Sequence, residues 1–175
     1  MPTPTPFNDT LIRAATISPC GLYRYELWRI WSMLPAVMFI MLNPSTADGS
    51  KDDATIRKCM AYARRWGYGS LCVANLFAYR ATDPRDMKAA EDPVGPDNDE
   101  TLRSLAAGAG LIVAAWGAHG SYQGRDAVVL AMLPKVWCLH QTKSGAPGHP
   151  LYLPGDATPK PLLPAPGGGS PQPGL

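Results

Sequence analysis

Three short and largely apolar runs constrain the chain most: residues 36–42 (AVMFIML), 70–77 (SLCVANLF) and 111–116 (LIVAAW). Runs of this length without polar alternation suit strands covered on both faces, as inside a parallel sheet. Between the first two, Ala54, Ile56, Met60, Ala61 and Ala63 fall at helical spacing across residues 52–66. Asp52 and Asp53 stand at the end of that stretch where a helix dipole favours acidic side chains, and Gly67-Tyr68-Gly69 stops it. A second helix is expected from about residue 97 to 107. A third is expected over 126–133, ahead of a fourth strand at 136–140. Residues 13–18 and 22–31 have strand character on either side of the turn signal Pro19-Cys20-Gly21 and predict an N-terminal β-hairpin. Residues 78–96 read as one long loop. Buried strands alternating with helices predict an α/β fold of three layers, α/β/α, around a central four-stranded and mostly parallel sheet.

At 175 residues the chain is the size of one domain. That domain is expected over residues 11–153, with a flexible N-terminus at 1–10. From 154 to 175 a Pro/Gly-rich tail is expected to be disordered. The longest apolar stretches, 34–42 and 105–118, fall short of the roughly 18–20 residues that cross a bilayer. Residues 1–10 lack the basic segment and apolar core of a secretory signal. Four scattered cysteines, Cys20, Cys59, Cys72 and Cys138, form no C-x-x-C pair, which predicts reduced thiols and a cytoplasmic protein. A net charge of +2 says little about partners. Arg57, Lys58, Arg64 and Arg65 cluster on one segment, as phosphate contacts would or as a solvated helix face would.

Ligands in such sheets bind outside the carboxyl ends of the strands, which directs attention to the loops beginning at Asn43, Asn75, Gly117 and His140. Two of these ends present an asparagine, whose carboxamide both donates and accepts and so suits the amide-like edge of a nucleobase. The phosphate-binding loop of nucleoside triphosphatases, the dinucleotide fingerprint and the serine-hydrolase elbow have no counterpart in the sequence.

Taken together, four segments in order resemble the uracil-DNA glycosylase superfamily. FIMLNPSTAD (residues 39–48) is similar to its first motif, an apolar strand ending in Asp-Pro or Asn-Pro. SLCVANLFAYR (70–80) resembles its second strand, LIVAAWGAHG (111–120) its third, and His149-Pro150-Leu151 its final His-Pro, set further beyond the strand than usual. The pattern looks closest to a bacterial branch with an Asn-Pro-Ser first motif. The resemblance implies base flipping and hydrolysis of a base–sugar bond, with DNA as partner, no cofactor, no metal and no membrane. It implies catalytic roles for Asn43, which orients the attacking water, and His149, which stabilises the leaving base. Asn75 would bind the base beside Pro44, Ser45, Phe77 and His140, and Arg80, Lys143 and Ser144 would follow the DNA backbone.

Each residue has a plainer reading. Asn43-Pro44 suits a strand-ending turn, Asn75 can satisfy loop backbone, and His140 lies nearer its strand end than His149 does. The aromatic that stacks on the base stays open among Phe77, Tyr79 and Tyr122. Asn43 departs from the Asp of the fastest uracil enzymes, which predicts slow turnover or reliance on substrate strain. Ser45 replaces the bulky Tyr that excludes groups on C5 of the pyrimidine. A C5-modified pyrimidine, such as the hydroxymethyl- or glucosyl-hydroxymethylcytosine of phage DNA, is therefore the expected target, in antiphage defence. Excision of mispaired uracil or thymine, a nucleobase-binding module without catalysis, and a structural subunit are the alternatives. No long amphipathic or heptad segment is present, so a monomer is expected.

Overall fold

The computed structural model describes residues 10–46 and 49–164. The expected flexible segment 1–10 therefore lies outside the described residues except for Thr10, as does the tail from 165. The fold is mixed α/β. In chain order the strands are β1 (Ile12–Ile17), β2 (Arg24–Ile30), β3 (Ala36–Met41), β4 (Ser70–Asn75), β5 (Leu111–Ala114), β6 (Trp137–Cys138) and β7 (Lys160–Pro161). The helices are α1 (Ala54–Arg65), α2 (Pro84–Ala89), α3 (Asn98–Gly108) and α4 (Arg125–Met132).

Among the described residues, seven strands join one sheet in the order β1-β2-β4-β3-β5-β6-β7. The pairings β4/β3, β3/β5 and β5/β6 are parallel, while β1/β2, β2/β4 and β6/β7 are antiparallel. The expectation of four mostly parallel strands is thus corrected. A parallel centre is extended on both sides by antiparallel strands, and the N-terminal hairpin is part of the sheet through β4. Residues 154–164, assigned from sequence to the tail, contribute β7 on the edge of β6. Proline and glycine content alone hid a two-residue pairing too short to leave a periodic trace.

Strand alternation divides the core in two. Val37, Phe39, Met41, Leu71 and Val73 face α1, packing on Ile56, Cys59, Tyr62 and Ala63. Met38, Ile40, Ala74, Ile112 and Ala114 face Leu102 and Ala106 of α3 and Val129 of α4. Helices therefore cover both faces, which explains why the central strands, apart from Ser70 at the start of β4, are apolar until their carboxyl ends. Within the long loop expected over 78–96, α2 forms because Asp83 accepts the Arg85 N–H at 2.9 Å and Pro84 occupies the first helical turn.

Candidate functional site

The two strand-end asparagines continue rows of side chains on the α1 face. Met41 pairs in register with Asn75, and the row Val37, Phe39, Met41 leads on to Asn43. Where the strands end, α1 begins, and the space between them is a cavity of about 270 Å³. Its walls include Arg24, Asn43, Ser45, Asp53, Thr55, Asn75, Thr82 and His149, with Met41, Pro44 and Val73 as the apolar floor.

Asn75 is only 2% exposed, and its carboxamide has no hydrogen-bond partner among the described residues. The plainer role, satisfying loop backbone, falls to other side chains. Asn98 Nδ2 donates to the Asn75 and Leu76 carbonyls at 3.0 Å each, and Arg125 Nε donates to the Leu76 carbonyl at 2.8 Å. These bonds hold the end of β4 by its backbone and leave the Asn75 side chain to the cavity. A buried amide without a partner costs stability unless a ligand or water completes it.

Asn43 differs. Its Nδ2 donates to the Pro44 and Ala81 carbonyls at 3.1 and 2.8 Å, tying the end of β3 to the segment after β4. Both partners only accept, so the nitrogen must face them, and the amide oxygen is the group left for a ligand. The turn role is therefore real, and it orients the oxygen. Ser45, half-buried, and the buried Pro44 continue this wall.

His149 reaches the cavity by a detour. After β6 the chain makes a closed excursion, in which Thr142 N–H donates to the Ala146 carbonyl at 2.8 Å and Gly148 N–H to the His140 carbonyl at 2.7 Å. A Cβ on Gly148 would stand 3.2 Å from that of His140, so glycine permits this close return. The extra residues that separate His149 from its strand are taken up in the excursion. Beyond it, the segment is strapped to α1. Tyr62 Oη donates to the Pro154 carbonyl at 2.6 Å, Trp66 Nε1 to the Ala157 carbonyl at 3.3 Å, and Lys58 Nζ to the Leu153 carbonyl. The Leu151 N–H donates to His149 Nδ1 at 3.2 Å, so the neutral ring carries its proton on Nε2. Burial pushes the His149 pKa below its ordinary value, with the Asp53 charge opposing, and the ring is neutral at pH 7.

The remaining sequence candidates lie elsewhere. Phe77 is fully buried in the α3/α4 core, packed on Tyr122 with ring centroids 5.8 Å apart, and lines no part of the cavity. The chain leaves β4 before Phe77, so strand alternation does not carry it to the Asn75 side. Tyr79 packs edge-on against Tyr23, so none of the three stacking candidates lines the cavity. His140 is exposed outside it. Arg80 donates to the Gly21 and Thr46 carbonyls at 2.9 and 2.8 Å, holding the loop that carries Ser45. It lines an adjoining groove that shares Ala81 and Thr82 with the cavity. Lys143 and Ser144 are exposed at the tip of the excursion. The basic cluster on α1 is largely occupied: Arg57 donates to the Asp52 carbonyl at 2.6 Å, Arg64 stacks 4.3 Å over the Trp31 ring, and Lys58 holds the strap.

Two charged residues of the site escaped the sequence reading. Arg24 is 7% exposed, and burial, then the Arg80 charge, push its pKa down to about 10, so it remains a cation at neutral pH. It lines the cavity because of a β-bulge. Thr16 pairs with Glu26 but Ile17 with Arg24, leaving Tyr25 as the extra residue. Tyr25 turns toward α3, where its hydroxyl accepts the Asp97 N–H at 3.4 Å, and the alternation of β2 resets so that Arg24 shares the face of Leu27. Plain alternation puts Arg24 on the opposite face, and nothing in the sequence marks the bulge. Asp53 was legible as a helix cap and does cap α1, accepting the Ile56 N–H at 2.8 Å. Its place on the cavity wall depends on how α1 sits over the strand ends.

A family model described as "Protein of unknown function (DUF1643)" matches residues 24–151. The chain belongs to the DUF1643 family. The matched DUF1643 segment begins at Arg24 and ends just after His149, so it contains every residue that lines the cavity. No curated protein and no solved structure matches the chain.

Proposed function

We propose that this DUF1643 chain is a DNA glycosylase of a uracil-DNA glycosylase-like fold that accepts a flipped pyrimidine and hydrolyses its bond to the sugar. One observation carries the reading. The side chains at two adjacent parallel strand ends, Asn43 and Asn75, line one cavity together with His149. Its volume, about 270 Å³, lies at the small end of ligand pockets and suits a single base better than a whole nucleotide. The free Asn75 carboxamide matches the donor and acceptor edge of a pyrimidine. Nε2–H of a neutral His149 is a donor for the base oxygen that gains charge as the bond breaks. Arg24 adds a cation in the same wall, which favours an anionic departing base.

Ser45 gives the substrate class. A small side chain at that wall leaves room for a group on C5, so the proposed target is a C5-substituted pyrimidine, of the kind found in hypermodified phage DNA, in a role in defence. DNA duplexes carrying hydroxymethyl- or glucosyl-hydroxymethylcytosine, alongside uracil and thymine opposite guanine, provide the assay. Free base in the supernatant and alkali-labile abasic sites are expected with the C5-modified duplexes. Activity confined to the mispairs would move the reading to mismatch repair, and no release from any duplex would end it.

The commitment of the Asn43 nitrogen to two carbonyls favours a second reading, a nucleobase-binding module without catalysis. Saturable binding of a nucleobase or nucleoside by calorimetry, with no base release from DNA, is its signature.

A further inference from the structure

A hydrolytic site needs a group that takes the proton of the attacking water, and Asn43 is not one. An amide oxygen is too weakly basic to hold a proton near neutral pH, and the amide nitrogen is fixed on the Pro44 and Ala81 carbonyls. Among the described residues lining the cavity, the one carboxylate is Asp53, brought there by the first turn of α1. One of its oxygens holds the Ile56 N–H, which fixes the side chain, and the other is left for a ligand or water. Its charge is felt by Arg24 from β2 and by His149 from the strapped segment, raising both pKa values against the larger effect of burial. These three groups thus share one electrostatic neighbourhood around the cavity.

We propose that Asp53 is the general base of this site: its carboxylate accepts the proton of the hydrolytic water and faces the positive charge that develops on the sugar. The inference rests on the base-excision reading above. In the step, the bond between C1′ and the base nitrogen breaks and its electron pair leaves with the base. The water oxygen bonds to C1′, and the water proton passes to Asp53. The anionic base is met by Arg24, Asn75 and Nε2–H of His149. The Asn43 oxygen holds the water by accepting its second hydrogen. In this chain, positioning and proton acceptance are divided between two elements, β3 and α1.

The helix cap makes the test clean. Asp53→Asn and Asp53→Ser both keep an oxygen for the Ile56 N–H, so melting temperatures close to that of the parent are expected. Single-turnover base release by the full chain from a C5-modified duplex should fall at least about 100-fold in both variants. Affinity for the same duplex bearing a non-cleavable 2′-fluoro nucleotide should stay within a few-fold of the parent. Asp53→Asn releasing base within threefold of the parent would overturn the role of Asp53 and leave base excision standing. A parent chain that frees no base from any duplex overturns both.

Discussion

Asparagine at two neighbouring strand ends looks repetitive in the sequence, yet the two side chains have different duties. Asn43 spends its donors on the backbone and offers one acceptor, whereas Asn75 offers its whole amide because Asn98 has taken over the backbone. Replacing Asn98 by Ala strands the buried Asn75 carbonyl, while Arg125 still holds that of Leu76, and should cost about 1–3 kcal/mol in urea unfolding. Base release should fall with it, since the end of β4 loosens. Asn75→Ala should cost little stability, because it removes an amide that has no described partner, while weakening binding of a C5-modified duplex by at least about tenfold. Ser45→Tyr should suppress release of C5-substituted bases more than release of uracil, measured as a ratio of rates on paired duplexes. Of the residues that line the cavity, Asn43 and Asn75 were legible because the ends of buried strands announce where a site must lie, and Pro44, Ser45 and His149 only through the resemblance of their motifs. Arg24 and Asp53 were not, since a bulge and a helix–sheet placement are tertiary facts. Phe77 misled for the opposite reason: proximity in sequence to Asn75 does not survive the chain leaving the strand.

At the level of elements, the loop between β3 and α1 is held by a buried ion pair that no motif records. Arg29, fully buried on β2, donates Nε to Asp52 at 2.6 Å and also reaches the Gly49 and Trp28 carbonyls at 2.6 and 2.7 Å. Arg13 of β1 adds a longer contact to Asp52 at 3.3 Å. Asp52→Ala leaves the Arg29 guanidinium buried without its counter-charge and should destabilise the chain by about 3–5 kcal/mol in denaturant unfolding. Burial pushes the Asp52 carboxyl up, but the hydrogen bonds and charges of Arg29 and Arg13 outweigh it, leaving the pKa below the usual carboxylate value. The folded protein thus binds this proton less readily than the unfolded chain. The contribution of the pair is complete above the unfolded value of about 4 and fades as pH falls through the lowered folded value. The pH dependence of unfolding should therefore flatten in Asp52→Ala over that acid window. Strand and helix order in this region were readable from periodicity to within a few residues. The clamp was not, because Arg29 reads as an ordinary polar residue in a half-buried strand.

For the whole molecule, the parallel centre and the N-terminal hairpin were predictable, while the joining of that hairpin to β4 and the β7 edge were not. Central strands carry a continuous apolar signature, while β7 is two residues of a Pro-rich stretch that pair with β6. The same stretch straps α1 through Pro154 and Ala157. A chain cut after Leu153 should lose these bonds and the β6 edge pairing, lowering the melting temperature by several degrees, whereas a cut after Pro164 keeps them. Among the described residues no helix is long and apolar enough to cross a membrane. The excursion between His140 and Gly148 has a different consequence. Its stem is closed by two backbone bonds, Gly148 N–H to the His140 carbonyl and Thr142 N–H to the Ala146 carbonyl, so the length of its tip is uncoupled from the position of the imidazole that follows. Such a loop is a natural cassette: its tip can change in length or charge while the cavity wall beneath stays where it is.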